Sequence, residues 1–107
     1  MSGRTPAMRL YLLRHAHALA GADDAARPLS TRGRKQIRAL ARWLRANRAL
    51  GDVTECWHSP LVRARDTAAL LVSRLHRPDI RTVATGGLTP VDEPAPLLRR
   101  LRSRQRP

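Results

Sequence analysis

Phenylalanine is missing altogether from these 107 residues, and aromatics make up only 3% of them. Any core must therefore be built from Leu, Ala, Val and Ile. The single cysteine, Cys56, excludes an intrachain disulfide and offers no metal cluster. No apolar run approaches the length needed to span a bilayer. The opening MSGRTPA has no signal-peptide-like apolar run. A cytoplasmic protein without membrane contact is the expectation. Residues 1–7 read as an N-terminal extension, because Met8 begins the first strand-like segment.

Lysine is almost absent too. Lys35 is the only one among 21 basic residues, which face 8 acidic ones and give a formal charge of +13. Such a balance permits binding to nucleic acid or acidic surfaces. An arginine-for-lysine and alanine-rich bias also follows from genomic base composition, so the charge is weak grounds for a nucleic-acid ligand. The charge is uneven as well: Arg99, Arg100, Arg102, Arg104 and Arg106 crowd the last residues, and 99–107 reads as a basic tail.

Apolar residues reach 42%, enough for one small folded domain, and there is no internal repeat. Met8 to Leu13 suits a buried parallel strand. Ser30 or Thr31 can cap a helix in which Ile37, Leu40, Ala41 and Leu44 share one face. Val53 to Trp57 reads as a second strand. Pro60 suits the first turn of a second helix carrying Leu61, Ala64, Ala68, Leu71 and Leu75. Ile80 to Val83 reads as a third strand. Beyond Gly86-Gly87 and a proline-rich loop, Leu97, Leu98 and Leu101 suggest a final helical turn or two. Alternating strands and helices predict an α/β domain with a mostly parallel sheet and helices on its faces.

Ligands of such sheets bind at the carboxyl ends of strands. Two segments rich in chemistry fall there: Arg14-His15-Ala16-His17 after the first strand, and His58-Ser59-Pro60 with Arg63 after the second. A neutral imidazole is a good nucleophile toward phosphorus, and arginine offers a planar fork of donors to phosphate oxygens. Arg63 would lie in the first turn of a helix, where the backbone already favours an anion. Taken singly, a lone histidine more often ties down a loop, and Arg63 and Arg65 more often face solvent.

Three motifs agree in register, however: Leu12-Leu13-Arg14-His15-Ala16, then Arg27-Pro28-Leu29-Ser30-x-x-Gly33, then Ser59-Pro60-x-x-Arg63-Ala64-x-x-Thr67. Together they resemble the histidine phosphatase superfamily, and the Arg-Pro-Leu segment and Leu88-Thr89-Pro90 resemble its SixA-type phosphohistidine phosphatases. The resemblance covers roughly residues 8–98. It implies a three-layer α/β/α, phosphoglycerate mutase-like fold. It also implies that His15 is the nucleophile that becomes phosphorylated, and that Arg14 and Arg63 bind phosphate. Arg27 would be a basic residue near the pocket, and Ser59 would shape the strand-to-helix turn. The activity implied is a phosphomonoesterase working through a phosphohistidine, with no metal or organic cofactor. The implied partner is a phosphorylated substrate such as a phosphohistidine-bearing phosphorelay protein.

Two departures stand against the pattern. Ala16 and His17 occupy positions where the family often has Gly and an acidic residue, so the general acid is unassigned among Asp23, Asp24 and His17. The family's second histidine has no counterpart, since neither His58 nor His76 matches its setting. The sequence therefore reads as a C-terminally truncated member with an incomplete sheet. Its alternative is an inactive, phosphate-binding pseudoenzyme. A nucleic-acid-binding protein ranks behind both, for want of stacking aromatics.

Overall fold

The computed structural model describes residues 9–105. Its architecture follows from one short loop-and-helix pattern used twice. Helix α1 (Thr31–Ala46) starts where Ser30, in extended conformation, accepts the Gly33 amide on its hydroxyl. This is the N-cap anticipated for that serine. Gly33, Ile37 and Ala41 face inward, while Arg34, Lys35, Arg38, Arg42 and Arg45 stay exposed. Helix α2 (Val62–Arg74) buries Arg63, Thr67, Ala68 and Leu71 and packs against α1. It begins after Leu61, so Pro60 precedes the helix rather than occupying its first turn. Arg63 is nonetheless the second residue of α2 and lies in that turn.

Strands β1 (Glu55–His58) and β2 (Arg81–Ala84) pair in parallel, with Glu55 opposite Arg81 and His58 opposite Ala84. With α2 between them they form a βαβ unit. Alternation along β1 sends Cys56 toward the apolar cluster of Ala16, Leu29, Ile37, Ala41, Leu71, Leu75 and Ile80. Trp57 turns the other way, under Arg100 of helix α3 (Ala95–Gln105), whose guanidinium carbon lies 4.8 Å from the ring centre. Helices thus lie over both faces of the sheet. The final helix is longer than the one or two turns expected, and it runs through residue 98 without a break.

The first predicted strand is not formed among the described residues; Met8 itself falls outside them. Residues 9–13 carry no ladder, and Leu10, Tyr11, Leu12 and Leu13 are exposed, Leu12 by 89%. An apolar run becomes a buried strand only with a neighbour to complete its hydrogen bonds. Among the described residues β1 pairs with β2 alone. Tyr11 and Arg9 instead reach Asp52, through a 3.2 Å hydrogen bond and a 3.7 Å ion pair.

Helices α1 and α2 lead into the strands that follow them through residues in the left-handed region: Arg48 and Leu50 after α1, and His76 after α2. Side chains there cost roughly 1–2 kcal/mol relative to ordinary backbone. Arg77 offsets part of this, donating to the carbonyls of Leu50 and Val53 at 2.9 and 3.1 Å while pairing with Asp79 at 2.7 Å. That clamp fixes the end of the sheet remote from the chemistry-bearing segments. No described helix is long and apolar enough to cross a membrane.

Candidate active site

At the carboxyl end of β1 the chain passes through Ser59, which is buried and accepts the Leu61 amide on its hydroxyl at 3.3 Å. This short turn delivers the chain into α2, so Arg63 emerges directly beneath the strand end. One turn later Thr67 donates its hydroxyl to the Arg63 carbonyl at 2.7 Å and accepts the Ala16 amide at 3.1 Å. Through this buried hydroxyl, the residue after His15 is fastened to the first turn of α2. The two segments that the sequence assigns to one sheet edge therefore meet, although no first strand forms among the described residues.

His15 is exposed, and its Nδ1 lies 2.8 Å from the Ala16 carbonyl oxygen. A carbonyl oxygen only accepts, so Nδ1 is the donor in this contact, and in the neutral ring the lone pair lies on Nε2. His58 makes the same bond to the carbonyl of Ser59, also at 2.8 Å. His17 is engaged differently: its Nδ1 lies 2.6 Å from the Ser30 hydroxyl, and its carbonyl accepts from both the Ser30 amide and the Ser30 hydroxyl. A methyl group on Gly33 would overlap that same carbonyl oxygen. His17 thereby belongs to the cap of α1.

Arg14 is exposed and makes no ion pair with another described residue. Arg63 is the reverse, with only 7% of its side chain exposed. Its Nη1 donates to the Asp24 carbonyl at 2.8 Å and its Nη2 to Asp24 Oδ2 at 3.2 Å. Asp24 sits on a 3-10 turn (Asp24–Ala26). Its other oxygen, Oδ1, accepts from Arg27 Nη1 at 3.0 Å, while Arg27 Nε donates to the Leu19 carbonyl at 2.8 Å. The hydrogen bond from Arg27, then that from Arg63, holds the Asp24 carboxyl below the usual carboxylate range. Of the three candidates for general acid, Asp24 is consequently an ionised acceptor near neutral pH, not a stored proton.

The family model of the histidine phosphatase superfamily (branch 1) matches residues 10–88. The chain belongs to that superfamily.

Solved structures agree with the assignment. The protein histidine phosphatase SixA complexed with tungstate is 28% identical and superposes with a TM-score of 0.73 over 85% of this chain and 57% of that one. A protein assigned as SixA from Agrobacterium tumefaciens gives 0.71 at 20% identity, over 87% and 59%, a likeness of fold alone. One from Nakamurella multipartitia gives 0.53 at 30% identity, over 67% and 39%. No curated protein matches the chain. The fold is thus the SixA or phosphoglycerate mutase-like α/β fold, and this superfamily member spans less than three-fifths of the first two SixA chains.

Within this superfamily member, two features escaped the sequence. The spacing of Thr67 marks it as a motif position but does not reveal that it joins Ala16 to Arg63. Asp24 stands out only as an acid near the histidine in sequence, with nothing to show that it bridges Arg27 and Arg63. Each depends on a contact between residues 39 or more positions apart. Among the described residues no group of three or more His, Cys, Asp or Glu could hold a metal ion.

Proposed function

We propose that this chain is a phosphohistidine-phosphatase-like phosphomonoesterase in which His15 is the nucleophile. The observation that carries this reading is the 2.8 Å contact of the exposed His15 ring, through Nδ1, with the Ala16 carbonyl. With Nδ1 donating to the Ala16 carbonyl, the neutral imidazole carries its lone pair on Nε2, and the Ala16–Thr67 hydrogen bond ties this segment to the start of α2. Arg14 and Arg63 bind the phosphoryl group, with Arg27 at its margin and Ser59 shaping the turn. The tungstate bound by the SixA relative, a tetrahedral oxyanion, supports a phosphate-sized ligand.

In the first step the His15 Nε2–phosphorus bond forms as the bond from phosphorus to the leaving group breaks in line. The leaving oxygen, or imidazole nitrogen of a phosphohistidine, departs with the electron pair and takes up a proton. In the second step water attacks phosphorus, the nitrogen–phosphorus bond breaks, and inorganic phosphate and free His15 result. The arginines lower the barrier through position and charge. The substrate class is a phosphorylated protein, a phosphohistidine-bearing phosphorelay domain being the finer expectation, and the compartment is the cytoplasm.

Incubation with p-nitrophenyl phosphate and with a phosphohistidine peptide tests the reading. Turnover that disappears in His15→Ala, with an acid-labile phosphoenzyme in the parent, supports it. A cooperatively folded parent without turnover or phosphoenzyme overturns it in favour of a phosphate-binding pseudoenzyme.

A further inference from the structure

The two buried or half-buried arginines of the site share one counter-ion. Asp24 places Oδ1 on Arg27 and Oδ2 on Arg63, so a single carboxylate spans two guanidinium groups. The carboxylate lies at the surface, with its side chain 67% exposed, whereas the Arg63 side chain beneath it is 7% exposed. Arg63 also keeps a second anchor, the Asp24 main-chain oxygen, which does not depend on the carboxylate.

Resting on the phosphate-binding role proposed above for Arg27 and Arg63, we infer that Asp24 is a specificity-determining residue, a tethered carboxylate that excludes monoanions from the arginine pair and yields to a phosphoryl dianion. A carboxylate arriving from solution brings the same single charge and the same two oxygens as Asp24. It lacks the tether, and a tethered group competes at an effective concentration in the millimolar range or higher. A phosphoryl group brings about −1.5 to −2 charge and three acceptor oxygens, so it can engage Arg14 as well as the pair. Once displaced, the Asp24 carboxylate moves into solvent that it already touches. The main-chain bond keeps Arg63 aimed throughout.

Calorimetric titration of the full chain with inorganic phosphate and with acetate tests this, using the parent, Asp24→Asn, Asp24→Ala and Asp52→Asn. Thermal melting verifies that each is folded. Removing the carboxylate is expected to tighten phosphate about tenfold, on the scale of one charge pair near a surface. Acetate should gain more, so the preference for phosphate over acetate falls in both Asp24 variants. Asp52→Asn removes the same net charge far from the site and should change neither. Weaker or unchanged phosphate binding in the Asp24 variants, an unchanged preference, or an equal effect of Asp52→Asn overturns the inference, as does a parent that binds no phosphate. Failure of the catalytic reading is distinguishable, because it appears as missing His15-dependent turnover while the anion titrations still respond to Asp24.

Discussion

Ala16 and Thr67 are 51 positions apart, yet the amide of one rests on the hydroxyl of the other at 3.1 Å, and that hydroxyl in turn donates to the Arg63 carbonyl. One buried oxygen therefore holds the backbone next to His15 and the first turn of α2 in a common frame. Thr67→Val keeps the shape and removes the acceptor, stranding the Ala16 amide. The expected loss is about 1–3 kcal/mol of stability by urea denaturation. Turnover of p-nitrophenyl phosphate should fall by up to about a hundredfold, as misplaced catalytic groups do.

Ser30 serves three partners at once: the Gly33 amide, the His17 carbonyl and the His17 ring. Ser30→Ala is expected to cost toward the upper part of the roughly 0.5–2 kcal/mol typical of a lost cap. A melting temperature that does not move would show that Thr31 takes over the capping.

Gly33→Ala sets two effects against each other. Alanine favours a helix by up to about 1 kcal/mol over glycine. Its methyl, however, overlaps the His17 carbonyl, which is main chain and already holds two donors. Contact should prevail, and the variant should unfold at lower urea than the parent.

Acid should loosen the Arg27–Asp24–Arg63 bridge. The carboxyl of Asp24 is held below its ordinary value of 3.8 by Arg27 first and Arg63 second. A folded-state value lower than the unfolded one means that the bridge contributes fully above 3.8 and is lost as pH falls through the lowered value. Asp79 beside Arg77 has the same sign. Urea midpoints measured downward from neutral pH should decline in the acid range, and less steeply in Asp24→Asn.

Cys56 is half-buried on the inner face of β1, and burial pushes its thiol above the ordinary 9.0. The thiolate is the reactive form. Native protein should therefore react slowly with a disulfide reagent at neutral pH and rapidly in urea. Equal rates would mean that β1 opens readily.

The helices were legible because their apolar period is a local property: Ile37 and Ala41 mark the inner face of α1, and Ser30 announces its start. The segment from Met8 to Leu13 has an equally clear local pattern, but a strand is a relation between chains of backbone, and among the described residues β1 offers its ladder only to β2. The site divides in the same way. Arg14, His15, Arg27, Ser59 and Arg63 stand out through motif and spacing. The Asp24 bridge and the Thr67 link do not, because they arise only when a loop folds back across a helix.

That loop closes on itself before it reaches the arginines. Ala18 bridges Leu29, the Leu19 amide meets the Pro28 carbonyl at 2.8 Å, and His17 meets Ser30 on both main chain and side chain. Everything between is an excursion whose two ends are stitched together at its base. Changes of length or composition from residue 20 to residue 26 can thus accumulate without transmitting strain to the backbone at His15. The excursion is mechanically separable: it lays Asp24 over Arg63, while its closed base alone joins it to the backbone at His17.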